Sequence, residues 1–185
     1  MEAQYKNFGL YNIDIDYLRY LHSIDTETHF EEDKNYERKP FVGIIIFVNG
    51  YNYFIPLTSG KPKHLNWDNV SKTHYLIYEV VEEIELETND IYKPMGDGKF
   101  KKILAALDIK KMVPVPDGLY HRIDINHMDD VKYKTLLVKE TLFCRRIQDA
   151  VLNKASKLYQ LQINSGIVRQ CCCNFKLLES ACDSW

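Results

Sequence analysis

Two rhythms of apolar residues alternate along this chain. Positions 41–48 read Phe-Val-Gly-Ile-Ile-Ile-Phe-Val, an apolar run rich in β-branched and aromatic residues that predicts a strand. Asn49-Gly50 follows, the strongest short signal for a two-residue hairpin turn. Residues 51–57 then predict the return strand, with Tyr51, Tyr53 and Ile55 on one face and Pro56 near its end, where a missing donor is tolerated. Residues 73–81 and 103–109 read as further strands, Met112-Val113-Pro114-Val115-Pro116 as strand material closed by prolines, and residues 93–102, with Pro94, Gly96 and Gly98, as a turn.

The helical rhythm appears in three places. Asp14 caps a segment in which Tyr17, Leu18, Leu21 and Ile24 recur at helical spacing, and the polar residues 25–35 after it read as a loop. Asp129 or Asp130 opens a long helix whose apolar stripe is Leu137, Thr141, Cys144, Ile147, Val151, Ala155 and Leu158. Ser165-Gly166 ends or bends it, and residues 175–181 form a short helix that covers the sheet. The expectation is a single domain over residues 1–185.

Composition narrows the class. The chain is 45% hydrophobic and 27% charged, which excludes a disordered tail. Glu2 and Lys6 interrupt any secretory h-region, and the run at 41–48 is too short to span a bilayer, so a cytoplasmic location without membrane attachment is expected. Five cysteines, three of them adjacent at 171–173, show no Cys-x-x-Cys pair and no finger-like His spacing. They read as free thiols, with no metal and no cofactor expected.

The net charge of −2 conceals segregation. Lys34, Arg38, Lys39, Lys61 and Lys63 face one acid, Glu37, within residues 34–64; eight Lys or Arg between 132 and 169 face Glu140 and Asp149; the acids gather at Glu79, Glu82, Glu83, Glu85, Glu87 and Asp90. A basic face on a near-neutral protein is the footprint of a polyanion partner. Within it, Pro56-Leu57-Thr58-Ser59-Gly60-Lys61-Pro62-Lys63-His64 supplies two hydroxyls, two ammonium groups and an imidazole on a backbone held by two prolines and a glycine. An ordered loop of this kind on a rigid sheet suits a phosphate-bearing substrate. The hairpin also sets Lys39 and Ser59 roughly symmetrically about Asn49-Gly50, and so close together.

Several segments resemble one family. Tyr17-Leu18-Arg19-Tyr20-Leu21, Lys39-Pro40-Phe41-Val42-Gly43-Ile44, the 56–64 loop, Met112-Val113-Pro114-Val115-Pro116, Tyr133-Lys134-Thr135-Leu136-Leu137 and Cys173-Asn174-Phe175-Lys176-Leu177-Leu178-Glu179 are similar, in this order, to the ToxN/AbiQ endoribonuclease toxins of type III toxin–antitoxin systems. The resemblance implies an α+β fold, a strongly twisted antiparallel sheet of MazF/Kid-like type wrapped by helices, including a long one in the C-terminal half. It implies metal-independent cleavage of cellular or phage RNA. It also implies abortive infection of phage-infected cells, and inhibition by a repeated small pseudoknot RNA that the toxin processes and binds in a closed ring. Gly60 stands where the pattern has proline, Pro62 separates Lys61 from Lys63, and residues 65–102 are longer and more acidic than the pattern.

Metal-free RNA cleavage uses the substrate's own 2′-OH as nucleophile. The protein must take its proton, stabilise the phosphorane and protonate the leaving 5′-oxygen. The resemblance points to Thr58 and Ser59 as the core of the site. Lys61 is a compact donor to a non-bridging oxygen, Lys39 a base if neighbouring cations lower its pKa, and Ser59 orients the 2′-OH or relays a proton. His64 is either an acid–base residue or a loop histidine bonded to backbone. Tyr36, Arg38, Lys63, Arg145 and Arg146 are the candidate RNA contacts. A non-catalytic RNA-binding module is the alternative for the same residues, and a protein-binding barrel that uses the acidic segment is a third.

Overall fold

A computed structural model describes residues 9–30, 40–48 and 50–185. Its elements, in chain order, are β1 (Gly9–Ile13), α1 (Ile15–Ile24), β2 (Phe41–Val48), β3 (Tyr51–Ser59), β4 (His74–Glu82), β5 (Tyr92–Gly96), β6 (Lys99–Asp108), β7 (Val113–Pro114), β8 (Tyr120–Arg122), α2 (Val131–Ser165) and α3 (Phe175–Ser184). The eight strands form one antiparallel sheet ordered β4-β6-β3-β2-β1-β8, with β5 on β6 and β7 on β3. This is an α+β architecture with one long helix in its C-terminal half. Among the described residues no helix is long and apolar enough to cross a membrane.

β3 organises the sheet by changing partners. Its first half pairs with β2 and β7, and from Leu57 onward it pairs with β6. Pro56 sits at that change, which is how a residue without an N–H fits an interior strand. Residues 52–58 are all buried, on both faces of the strand. α2 packs against β2, β4 and β6, and α3 against β7. The hairpin register is also not uniform: Ile46 faces Tyr53, but Val42 faces Ile55, so three residues of β2 bulge opposite one. Gly43 lies in that bulge because the Tyr11 ring rests there, and a Cβ would stand 2.4 Å from it.

The helices follow their signals. Asp14 accepts from Tyr17 N at 2.9 Å and caps α1, Asp130 accepts from Tyr133 N at 2.9 Å and caps α2, and left-handed Gly166 (φ 67°) ends α2. The α2 stripe buries Leu137, Cys144, Val151, Ala155 and Leu158, with Thr141 and Ile147 half-buried. α3 closes the core: Glu179 accepts from the hydroxyls of Tyr53 (2.8 Å) and Tyr159 (2.7 Å), both rings fully buried.

Two readings need correction, and two strands had no reading to correct. Residues 93–102 are a β5–β6 hairpin around Asp97-Gly98, not a bare turn. β1 and β8 give no sequence signal, being five and three residues long. Thr58 and Ser59 belong to the end of β3, and Pro62–Asn66 is a 3₁₀ turn, so the ordered loop between them shrinks to Gly60 and Lys61. All five cysteines are free thiols, with Cys144, Cys172 and Cys173 buried.

Candidate active site

The site is built where β3 leaves the sheet. Thr58 faces Ala106 and Ser59 faces Ala105 on β6. The Thr58 hydroxyl is buried and donates to the Ala106 carbonyl at 3.2 Å, so it ties β3 to β6 and retains only acceptor capacity. Ser59, one residue on, alternates to the other face and is exposed. Gly60 N donates to Leu104 O at 2.9 Å, and a Cβ on Gly60 would meet the Ile103 carbonyl oxygen at 2.6 Å. Only glycine lets the chain pass this close to β6 before it turns.

Lys61 then enters an extended conformation and Pro62 starts the 3₁₀ turn with its φ already set. The turn is clamped twice. His64 N donates to Lys61 O at 2.8 Å, and Lys61 N donates to the His64 ring at Nδ1, 3.1 Å away. His64 is fully buried. Because Nδ1 accepts, the ring proton sits on Nε2, a buried atom without a hydrogen-bond partner. Burial first, then the charges of Lys63, Lys61, His74 and Lys93, lower the His64 pKa to about 4. The imidazole is neutral at physiological pH.

A ring stack supports the turn from below. Trp67 lies 4.7 Å from His64 and 4.5 Å from His74, centroid to centroid. His74 is held by Ser71 Oγ (2.8 Å) and donates from Nε2 to Asp68 O (2.9 Å). The ammonium groups of Lys63 and Lys110 stand over the Trp67 ring at 5.6 and 5.7 Å, and Lys93 donates to the Trp67 carbonyl. Buried Asp108, in register with His74, has its pKa raised by burial against the pull of Lys110, Lys111, His74 and Lys63. Lys154 of α2 donates to Ser71 O and lies over Tyr75.

Ser59, Lys61, Lys63 and His64 are therefore gathered at one strand end, with Thr58 beneath them. Pro40 O accepts from Leu57 N at 3.1 Å, so the start of β2 lies at this same edge. Tyr36, Arg38 and Lys39 lie outside the described residues. Arg145 and Arg146 are exposed on α2 and apart from this cluster. Trp67, His74, Lys93 and Lys110 were not legible as site residues. They come from the 3₁₀ turn and three further strand ends, and nothing in their spacing marks them. Among the described residues no group of three or more His, Cys, Asp or Glu is placed to hold a metal ion.

Such an arrangement suits a phosphodiester: an exposed hydroxyl beside a positioned lysine, ringed by further cations, on a rigid sheet edge. The whole chain also has relatives among known proteins. The chain is 29% identical over 97% of its length to the endoribonuclease ToxN of Bacillus thuringiensis subsp. kurstaki, covering 84% of that protein. It is 28% identical over 91% of its length to the endoribonuclease ToxN of Pectobacterium atrosepticum, covering 88% of it. It superimposes with a TM-score of 0.74, at 26% identity and 97% coverage (98% of the other chain), on a solved structure concerned with selective inhibition of a type III toxin by a non-coding RNA pseudoknot. The family model of the toxin ToxN of type III toxin–antitoxin systems matches residues 9–183, and the chain belongs to that family.

Proposed function

We propose that this protein is a metal-independent endoribonuclease toxin that cleaves RNA by attack of the substrate 2′-OH. The observation that carries the reading is the exposed Ser59 hydroxyl next to Lys61, whose backbone is fixed by a buried, neutral His64. In the reaction the 2′-OH gives its proton to a base, O2′ bonds to phosphorus, the P–O5′ bond breaks and the 5′-oxygen is protonated. The ends are a 2′,3′-cyclic phosphate and a 5′-OH.

Within this scheme the Lys61 ammonium donates to a non-bridging oxygen and stabilises the charge that grows there. Ser59 orients the 2′-OH. Lys39 is the base, Thr58 holds the strand end through Ala106, and His64 acts through Lys61 by keeping its N–H engaged. Tyr36, Arg38, Lys63, Arg145 and Arg146 contact RNA on either side of the cleaved bond. The partner we assign is a repeated small pseudoknot RNA antitoxin, processed by the toxin and held with it in a closed ring. The setting is the cytoplasm and the role is abortive infection. The family membership and the pseudoknot-inhibited relative support this reading.

The test is RNA incubated with purified protein in excess EDTA, beside Ser59→Ala. Cyclic-phosphate and 5′-OH ends made only by the unmutated protein are expected. Intact RNA in both tubes despite tight binding would instead leave a non-catalytic phosphate clamp.

A further inference from the structure

Among the described residues Ile84 is the most exposed large hydrophobic side chain, at 91%. Its backbone is held firmly. It is the middle residue of a 3₁₀ turn, Glu83–Glu85, capped reciprocally: Glu82 N donates to Glu85 Oε2 at 2.9 Å, and the Glu82 carboxylate accepts from Glu85 N. Leu86 N closes the turn on Glu83 O at 3.1 Å. One exposed aliphatic residue is ordinary on a surface. This one is ringed by the exposed Glu82, Glu83, Glu85 and Glu87, while the nearby Lys102 and Lys139 are already tied to Asp90 (2.8 Å) and Glu79 (2.5 Å). Lys99, in register with Glu82, is the cation left beside them.

The complement of such a knob is an apolar recess with a cationic rim, and the same chain has one. A recess of about 210 Å³ opens at the C-terminal end of α2, walled by Leu158, Leu161, Ile167 and Cys172, with Arg169 at its rim. That is below the roughly 300–1,000 Å³ of small-ligand pockets and suits a single aliphatic side chain. Leu161 and Ile167 are 55% and 67% exposed. The polar groups that share the wall are already committed: Gln162 to Cys173 O (3.0 Å) and Phe175 N (2.7 Å), Ser165 Oγ to Leu161 O (2.6 Å) and Ile167 N (3.2 Å). Burial raises the pKa of the Cys172 thiol and Asp108 adds to the rise, but Lys110, Lys111 and Arg169 oppose it, so all three cations stand near the recess. Lys111 is paired with Glu27, which leaves Lys110 and Arg169 to meet an incoming acid.

We propose that the Glu83–Glu85 turn of one copy docks into this recess on a second copy, with Ile84 seated against Leu158, Leu161 and Ile167 and its flanking glutamates facing Arg169 and Lys110. A chain cannot fill its own recess. Lys139 marks the knob's end of α2 through its bond to Glu79, and from there to Leu161 the helix rises roughly 33 Å. Knob and recess are different patches, so the contact is heterologous and adds copies head to tail. It needs no RNA and stands independently of the ribonuclease reading. A contact this small is weak, with a Kd on the order of 10⁻⁴ M.

Sedimentation velocity on RNA-free protein reads the association from about 10 μM to about 500 μM, in reductant so that the exposed Cys171 cannot cross-link copies. The weight-average mass should climb with concentration at about 0.05 M salt, and climb less at about 0.5 M, where the charge pairs are screened. Ile84→Asp removes the knob and Leu161→Asp/Arg169→Glu removes the recess, each at exposed positions. Both variants should keep the wild-type circular dichroism and associate at least tenfold more weakly. Mixed in equal amounts, they should form a 1:1 pair and nothing larger, because one retains the recess and the other the knob. A wild type that stays monomeric at the highest concentration would overturn the proposal. So would an Ile84→Asp chain that associates like wild type, or a mixture that does not pair.

Discussion

His64 clamps the turn that carries Lys61, and pH reads that clamp directly. The folded imidazole titrates near 4, against 6.5 for a solvated histidine. The folded state refuses a proton that the unfolded chain accepts. Stability from this group is therefore complete above pH 6.5, declines as pH falls from 6.5 toward 4, and levels off below that. The fall from 6.5 to about 4 corresponds to roughly 3 kcal/mol in all, of which about 2 kcal/mol is lost by pH 5. Protonation of Nδ1 also removes the acceptor for Lys61 N–H, so the turn loosens in the same window. His64→Asn keeps an acceptor near the Nδ1 position and cannot titrate. Denaturant melts at pH 7.5 and pH 5 should show the wild type losing about 2 kcal/mol more than His64→Asn between those two conditions. His64→Ala should lose the clamp at both pH values and at least tenfold in kcat, while His64→Asn keeps most of the kcat. A His64→Asn enzyme as inactive as His64→Ala, with a kcat limb near neutrality that vanishes in both, would refute the positioning argument and make the imidazole a proton carrier.

Two other perturbations probe the frame around the site. Glu179→Ala strands the buried hydroxyls of Tyr53 and Tyr159, each costing about 1–3 kcal/mol, so a loss of roughly 2–5 kcal/mol is expected in urea melts; Glu179→Gln, which keeps an acceptor, should lose less, and an Ala variant within about 1 kcal/mol of wild type would contradict the network's role. Gly60→Ala drives a Cβ to 2.6 Å from the Ile103 carbonyl oxygen and must displace the chain between Ser59 and Lys61; kcat should fall on the order of 10²-fold with little change in the melting midpoint, and full activity would show that the loop tolerates the shift.

Most of the frame was legible because local chemistry and tertiary structure agree. Asp14, Asp130 and Gly166 end helices where their side chains or φ values predict, and the α2 stripe points inward. The central hairpin was legible for the same reason. β5 was missed because four of its five residues are exposed and it hangs on the sheet's margin, so no buried face wrote an alternation into it. β1 and β8 are defined by their neighbours rather than by their own residues. Thr58, Ser59 and Lys61 follow one another, so the sequence alone set them together as candidates. Lys110 and Lys93 could not be set with them, since a sheet brings strand ends together without regard to spacing along the chain.

The same point explains how a chain of net charge −2 presents a cationic edge. The acids of the 79–90 segment are drawn to other cations: Glu79 pairs with Lys139 and Asp90 with Lys102. Glu82, Glu83, Glu85 and Glu87 stand exposed at the end of β4 and in the segment after it. Around Trp67, by contrast, Lys63, Lys93 and Lys110 converge from three segments, and Asp108, buried among them, resists ionising because its pKa is raised. Local potential, not net charge, then governs how a polyanion approaches. On the proposed ribonuclease reading, a phosphate backbone is drawn to the edge that carries Ser59 and Lys61 and repelled from the acidic segment after β4, so charge placement orients the substrate before any base is read.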